Sequence, residues 1–174
     1  LERDGELPVR YVGSHQIQHP NQAAHAVDRF RALQRKYAAK RLHLGSIKLH
    51  NDGTKEARTA AMLEPYADDP GNRGAMLLEG KPLRDLIEAA SSAEIDLHIH
   101  TIGDRTVRET LDAIEDVKRR SGLGSIRITL CHLEVVADDD LPRFAPLGVI
   151  AQTTPLWHSH AGKNMERALG PERF

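Results

Sequence analysis

The chain has 174 residues, with 24 Lys and Arg against 25 Asp and Glu and a formal net charge of −1 at pH 7. Interspersed acids and bases leave no broad basic surface for a phosphate backbone, which argues against a nucleic-acid partner. No apolar run approaches the roughly 20 residues of a membrane-spanning helix, and no signal-peptide pattern opens the chain. The single Cys cannot form an internal disulfide. We therefore expect one globular domain without a membrane partner, located in the cytoplasm.

Hydrophobic periodicity predicts strands and helices in alternation through the first half of the chain. A short strand is predicted over residues 7–13, and an amphipathic helix over 23–37, where apolar residues recur at three- to four-residue spacing. A second strand over Leu42–His50 ends at the turn signal of residues 51–53. Residues 54–80 are interrupted by Pro and Gly without a sustained period, so a long ordered loop is predicted there.

The same alternation continues through the second half. The predicted elements are a helix over 83–90, a strand over 95–100, a helix capped by Asp104, a strand over 126–131, a short helix over 139–145 and a strand over 149–152. Five strands joined by helices indicate a parallel sheet. Both an open doubly wound sheet and part of an eight-stranded (β/α)8 barrel satisfy this pattern. No glycine-rich nucleotide fingerprint follows any strand, so a nucleotide-binding open sheet lacks its main support.

Histidines collect where the predicted strands end. The chain has 10 His, and the strand-end set is His50, His98, His100, His132 and, after the last strand, His158, with Lys48 beside them. The carboxyl ends of parallel strands form one face, so these side chains are expected to converge. Imidazoles suit zinc, iron or nickel, and a bound divalent ion lowers the pKa of a water from 15.7 to about 7. A metal-dependent hydrolytic site is one reading of this set.

Each of these histidines also has a structural reading. A single strand histidine can be a hydrogen-bonded core residue. His98 and His100 share one face of their strand, and one can bind metal while the other forms a hydrogen bond or touches substrate. The spacing of the other histidines suggests no site. We treat His15, His19, His25 and His43 as surface or structural residues.

Lys48 is unusual because it lies in a strand between two apolar residues, where an unpaired ammonium is costly. It can pair with an acid such as Asp52, or react with carbon dioxide to form an anionic carbamate that ligates metal. Asp52 and Asp104 also suit turn and cap roles. Cys131 is expected to be a small buried residue on the strand face opposite His132. A serine or cysteine hydrolase is weakly supported, because no G-x-S-x-G motif is present.

The motifs then resemble a known family. Ser-Ile-Lys-Leu-His-Asn-Asp-Gly at 46–53, Arg-Thr-Ala-Ala at 58–61, Leu-Glu-Pro-Tyr at 63–66 and His-Ile-His-Thr-Ile-Gly-Asp-Arg at 98–105 resemble the amidohydrolase superfamily, in the branch with YtcJ-like proteins and N-substituted formamide deformylase (amidohydrolase family 3). The resemblance covers about residues 9–152. It implies a (β/α)8 TIM-type barrel, of which this chain would supply strands three to seven.

The resemblance also implies site residues. Lys48 matches the family's fourth-strand lysine, which is often carboxylated, while His100 and His132 match the fifth- and sixth-strand metal ligands. The implied cofactor is one or two divalent ions, most simply zinc. The implied reaction is hydrolysis of non-peptide C–N bonds in small amides, formamides or cyclic amides. Asp52, His98, Trp157 and His158 are expected to shape the substrate pocket.

Departures from the family pattern matter as well. The family's first-strand His-x-His pair and its eighth-strand Asp, a ligand and general base, have no counterpart and would lie outside residues 1–174. We therefore expect an excised fragment of the barrel domain that is inactive alone and prone to self-association through exposed strand edges. Leu-Cys-His-Leu at 130–133 replaces the family's Ile-Glu-His-Ala, and His50 and Asn51 replace Phe and Ala. The alternatives are a non-catalytic barrel that binds metal or a small ligand, and an open sheet that binds a phosphorylated ligand.

Overall fold

The computed structural model describes residues 8–37, 39–159 and 163–173, apart from the side chains of residues 158, 159, 163 and 164. Its centre is a five-stranded sheet in sequential order. The strands are β1 (Tyr11–Ile17), β2 (Leu42–His50), β3 (Asp96–Thr101), β4 (Ile128–His132) and β5 (Val149–Thr153). All four neighbouring pairs are parallel. A doubly wound sheet reverses its strand order at a switch point, and no reversal occurs among the described strands.

Helices follow the strands in alternation. They are α1 (Ala26–Tyr37), α2 (Gly80–Ser92), α3 (Asp104–Ser121), α4 (Phe144–Leu147), α5 (Pro155–Ser159) and α6 (Lys163–Leu169), with 3₁₀ helices over Pro20–His25 and Asp138–Arg143. The main core lies between the sheet and the first three helices, where Phe30, Leu86 and Ile114 are buried against strand residues such as Ile99. None of the helices in the described ranges combines bilayer-spanning length with an apolar surface.

Element predictions hold best where burial is strong. The β2 prediction is confirmed over its full length, Leu42–His50, and α2 and α3 begin within a few residues of their predicted starts. The β1 prediction is displaced, because the strand runs over Tyr11–Ile17 rather than 7–13. This strand is at the edge of the described sheet, and Ile17 is its one buried residue, so its hydrophobic pattern is weak. Residue 7 lies outside the described ranges.

The prediction that Asp104 caps α3 is wrong by one position. Gly103 is the N-cap residue and Asp104 is the first residue of the helix. The Asp104 carboxylate instead accepts a hydrogen bond from the backbone N–H of Leu63 at 2.8 Å and another from Arg105 at 2.9 Å. It therefore fastens the long loop to the start of α3, a contact between segments that local sequence pattern does not encode.

The long segment between β2 and α2 is an ordered loop, as predicted. It has its own apolar cluster, in which Met62 and Tyr66 pack with Ile102 and with Leu169 of α6. The Tyr66 hydroxyl donates a hydrogen bond of 2.8 Å to the Ala60 carbonyl inside this cluster. The loop is thus packed against the carboxyl edge of the sheet, beside the strand ends that carry the histidines.

Candidate functional site

Three imidazoles and one indole meet at the carboxyl ends of β2, β3 and β4. His50 and His100 are register partners on adjacent strands, and their ring centroids are 4.1 Å apart. The rings of His100 and His132 are 4.5 Å apart in an edge-on arrangement. Trp157 of α5 stacks on His132 at 4.8 Å with an interplanar angle of 10°. The parallel sheet therefore brings side chains as distant in sequence as His50 and Trp157 into one cluster.

His132 reaches this cluster because its backbone leaves the strand conformation. Its φ is 80°, and that of Leu133 is 52°. Left-handed conformations cost an L-residue roughly 1–2 kcal/mol, so neighbouring contacts must hold them. The Leu133 N–H donates to the Thr101 carbonyl at 2.9 Å, and the Val135 N–H donates to the Ile102 carbonyl at 3.0 Å. The end of β4 is thus fastened to the end of β3, and the His132 ring turns back toward His100.

This turn corrects the expectation for Cys131. Strict alternation places adjacent residues 131 and 132 on opposite faces, so a His132 that faces the site implied a Cys131 that faces away from it. Instead the Lys48 Nζ donates a hydrogen bond of 2.8 Å to the Cys131 Sγ. Burial raises the pKa of the Cys131 thiol, while Lys48 opposes the shift. Cys131 therefore faces the site as a thiol, and Lys48 has this thiol as its described partner in place of Asp52.

Asp52 is instead a buried organiser of the loops. Its carboxylate accepts hydrogen bonds from the backbone N–H groups of Ala61, Ile102 and Gly103 at 3.2, 3.1 and 2.9 Å. The Thr106 hydroxyl adds a fourth bond at 2.7 Å. Burial raises the pKa of Asp52 to about 6, although these hydrogen bonds act in the opposite direction. The four bonds occupy the carboxylate, so the described contacts give it a structural role behind the imidazoles.

His100 is held by the loop that follows β2. Its Nε2 lies 3.0 Å from the Gly53 carbonyl oxygen and 3.4 Å from the Asp52 carboxylate. An Nε2–H that donates to Gly53 leaves Nδ1 as the nitrogen with an available lone pair. Burial lowers the pKa of His100 to about 3 and that of His132 to about 4. Both rings are therefore neutral at physiological pH, which is the form that binds metal.

His98 lies deeper along β3 and faces β5. Its Nε2 is 2.9 Å from the Gln152 side-chain oxygen, and burial lowers its pKa. Lys48 is its register partner on β2, so His98 shares the site's face without joining the three contacting imidazoles. His158 lies in α5, and its side chain is outside the described residues.

The donor chemistry fits a divalent ion in kind. Neutral imidazoles from three strands adjoin one another, and Lys48 lies on the same face. Within the described residues, no three His, Cys, Asp or Glu side chains already surround a single point as ligands of an ion would. The site thus offers donors of a suitable kind at the strand ends, and the described side chains do not form a closed coordination shell.

An open cavity of about 540 Å³ adjoins the cluster. His50 forms part of its wall, and the long loop supplies the rest, including Arg58, Asn72 and Met76. Arg58 is not free to bind a ligand through its whole guanidinium, because two of its nitrogens bond to the Asp68 carboxylate at 2.9 and 2.6 Å. The cavity is therefore lined by both polar and apolar residues of the loop next to an imidazole.

Several contacts at the site were not predicted from the sequence. His50 was among the strand-end histidines, and its position two residues after Lys48 was the available signal. Gln152 and Cys131 carried no such signal, because their partners are on other strands. The buried ion pair between Lys55 and Glu134 could not be predicted from the sequence either, because the two residues belong to separate loops.

Comparison with known proteins supplies the family. The chain is 30% identical to the putative amidohydrolase YtcJ of Bacillus subtilis over 75% of its own length and 24% of that protein. It is 28% identical to the exoenzymes regulatory protein AepA of Pectobacterium carotovorum over 90% of this chain and 33% of that protein. The chain thus spans about a quarter to a third of the length of these curated relatives.

Solved structures agree in fold. The crystal structure of an uncharacterized metal-dependent hydrolase from Pyrococcus furiosus matches with a TM-score of 0.78 at 28% identity, over 99% of this chain and 34% of that one. A corresponding hydrolase from Pyrococcus horikoshii matches with a TM-score of 0.77. The family model described as "Amidohydrolase family" matches residues 1–174. On this match, the chain belongs to the amidohydrolase family.

Proposed function

We propose that this chain is part of a metal-dependent hydrolase, and that its sheet is strands three to seven of a (β/α)8 barrel. The sequential order of the parallel strands supports this architecture, because a closed barrel is built from strands in chain order. The likeness to solved metal-dependent hydrolases over about a third of their length also supports it. The remaining strands, with the general-base Asp, would belong to other parts of the intact protein.

The proposed metal ligands are Lys48, His100 and His132, for one or two divalent ions, most simply zinc. The observation that carries this proposal is the contact of His100 with His132, both neutral and both at the ends of adjacent parallel strands. A bound divalent ion supplies a water of lowered pKa and polarises a carbonyl group. The chain's own contribution is to hold the two imidazoles in the protonation state that binds.

Gly53 and Cys131 hold two of the proposed ligands in place. Gly53 accepts from the His100 Nε2 side of the ring and thereby fixes the tautomer, as partners behind metal-bound histidines do. Lys48 becomes an anionic ligand in this proposal when its neutral amine adds to carbon dioxide, forming a carbamate and releasing one proton. Its contact with Cys131 holds the amine at the face shared with the histidines.

The proposed substrate is a small molecule with an amide, formamide or cyclic amide, whose C–N bond is cleaved. His98 and Trp157 line the proposed substrate side, where Trp157 is 44% exposed and offers an aromatic surface. His158 and Asp52 would lie around the same pocket, with Asp52 acting by fixing the loops. We also propose that the intact protein self-associates. We propose no nucleic-acid or membrane partner.

The test is metal analysis and amide hydrolysis on the intact protein. Purified protein would be assayed for bound zinc and other divalent ions, then for hydrolysis of a panel of N-formyl, N-acyl and cyclic amide compounds. We expect bound metal, and activity that a chelator removes and the ion restores. A protein that binds no divalent ion under any loading condition would overturn the proposal.

A non-catalytic relative is the second candidate. The match to AepA, a protein named as a regulator of exoenzymes, favours it, because that name describes regulation. In this case the site would bind metal or a small ligand without turnover. Metal-replete protein that hydrolyses none of the amide panel would support this candidate.

A further inference from the structure

An ion pair is buried beside the candidate site. Lys55 belongs to the loop after β2, and Glu134 belongs to the segment after β4. The side chains are 5% and 3% exposed, and the Lys55 ammonium contacts the Glu134 carboxylate. The exposed Glu56 is a second, more distant partner of Lys55 at 3.8 Å. Two nearly inaccessible charges thus join loops that are 79 positions apart.

Stability alone does not account for this pair. Taking two charges out of water is costly, and apolar side chains of similar volume often serve as well or better at such positions. A buried ion pair has a directional geometry, which an apolar contact lacks. Its place in the chain is therefore informative about what it orients.

Glu134 lies two residues after His132, in the turn where His132 and Leu133 adopt left-handed conformations. Such conformations persist where surrounding contacts over-determine them. The hydrogen bonds of Leu133 and Val135 hold this turn from the β3 side. Lys55 holds it from the β2 side, so the turn is fixed from both directions.

The same short segment also holds His100. Gly53, two residues before Lys55, accepts the hydrogen bond at the His100 Nε2. Asp52, one residue earlier, binds the backbone of Ile102 and Gly103 directly after β3. Residues 52–55 therefore contact the exits of both strands that carry the adjoining imidazoles.

We propose that Lys55 and Glu134 form a positioning pair that holds His132 against His100 and so sets the metal affinity of the site. The proposal rests on the proposed metal-dependent function. Neither residue is a ligand in it, since each is engaged with the other. Their effect passes through the backbone of residues 132–134.

The experiment replaces the pair by apolar side chains in the intact protein. The Lys55→Met, Glu134→Leu double variant removes both charges together and leaves no unpaired buried ion. Co²⁺ would be titrated into metal-free protein and followed by its visible absorption, with the melting temperature of the metal-free form measured alongside. We expect an unchanged or higher melting temperature, Co²⁺ affinity lowered about 10- to 100-fold, and an altered absorption spectrum.

The matched control removes another ion pair with one deeply buried member. Arg108 and Asp140 pair at 3.0 Å, with Asp140 1% exposed, and they join α3 to the 3₁₀ helix away from the histidines. Asp140 also pairs with Arg143, which keeps Asp112 and Glu115 as partners in the control variant. Arg108→Met, Asp140→Leu should retain wild-type Co²⁺ affinity and spectrum. Equal losses in both double variants would overturn the positioning role.

The outcomes separate the two proposals. Wild-type protein that binds no Co²⁺ or Zn²⁺ contradicts the proposed function itself. Wild-type binding that is matched by the Lys55, Glu134 double variant contradicts only the positioning pair. If the double variant does not fold, the same titration uses Lys55→Arg, which keeps the charge while changing the shape of the pair. Weaker binding or a shifted spectrum then supports the proposal, and wild-type behaviour contradicts it.

Discussion

His132 lies edge-on against His100 with ring centroids 4.5 Å apart, although the alternation of side chains along β4 would send it to the other face of the sheet. The φ of 80° at His132 turns the ring back. One histidine from each of two adjacent strands is thereby brought into contact. The backbone at the end of β4 is therefore as much a part of this site as the imidazoles are.

Removing either imidazole should remove the metal. For His100→Ala or His132→Ala in the intact protein, we expect metal affinity to fall by more than the 10- to 100-fold typical of residues behind the ligands, with activity lost in parallel. Elemental analysis after dialysis against buffered zinc measures this. His43→Ala is the control, because His43 is on the same sheet and its ring bonds to the Lys40 carbonyl at 3.2 Å. A metal-replete, active His100 or His132 variant would end that residue's assignment.

Lys48 should carry a carbamate in the metal-loaded protein. Protein prepared in ¹³C-bicarbonate is expected to show one carbamate carbon signal by NMR that is missing from Lys48→Met. Metal affinity should fall together with this signal, because the amine no longer supplies anionic oxygens. Lys36→Met, at an exposed lysine of α1, should retain both. An unmodified Lys48 in active, metal-loaded protein would refute the carbamate.

Gly103→Ala should destabilise the fold strongly. A Cβ at Gly103 would lie 2.0 Å from the Ala61 carbonyl oxygen, which is backbone and cannot rotate away. Overpacking typically costs about 1–3 kcal/mol, and we expect the upper end of that range or beyond. The same change would disturb the Asp52 bond to the Gly103 N–H. Urea unfolding measures the effect.

Gly71→Ala is the matched substitution, because a Cβ there meets nothing within 4 Å. Its free energy of unfolding should stay within about 0.5 kcal/mol of wild type. Comparable losses at both glycines would show that the close approach at Gly103 does not limit packing.

The metal-free protein should lose stability as the pH falls from 6.5. Burial lowers the pKa of His100 to about 3, whereas the unfolded chain binds that proton near pH 6.5. The unfolded state therefore holds more protons between these values, and stability is present above pH 6.5 and lost below it. From pH 6.5 to 4.5 we expect His100 to account for about 2 kcal/mol.

The measurement compares wild type with His100→Gln, which keeps an N–H donor for Gly53 and does not titrate. Thermal unfolding with chelator at each pH should show a shallower acid loss in the variant. Asp52 acts in the opposite direction, because its raised pKa of about 6 lowers stability as the pH rises through that window. Since Asp52 is present in both proteins, the difference between them isolates His100. Identical pH profiles would contradict the buried, neutral state of His100.

Local pattern by itself determined the order of the elements and the parallel sheet. The hydrophobic run of β2 and the amphipathic faces of α2 and α3 depend on residues that are close in sequence, so the positions of these elements could be predicted from spacing alone. Parallel strands place their carboxyl ends on one edge, and this rule alone predicted that Lys48, His100 and His132 would share a face. The motifs around 46–53 and 98–105 pointed to the amidohydrolase family before any contact was known.

Contacts between distant segments were decided only by the tertiary structure. Asp52 was assigned to turn, ion-pair or pocket roles, but its four hydrogen bonds come from two separate segments. Cys131 was placed on the wrong face, because strand alternation fails where the backbone enters the left-handed region. The pairing of Lys55 with Glu134 has no local signature at all. Periodicity shows on which face of its own helix or strand a residue lies, whereas these partners are set by how the loops pack over the sheet.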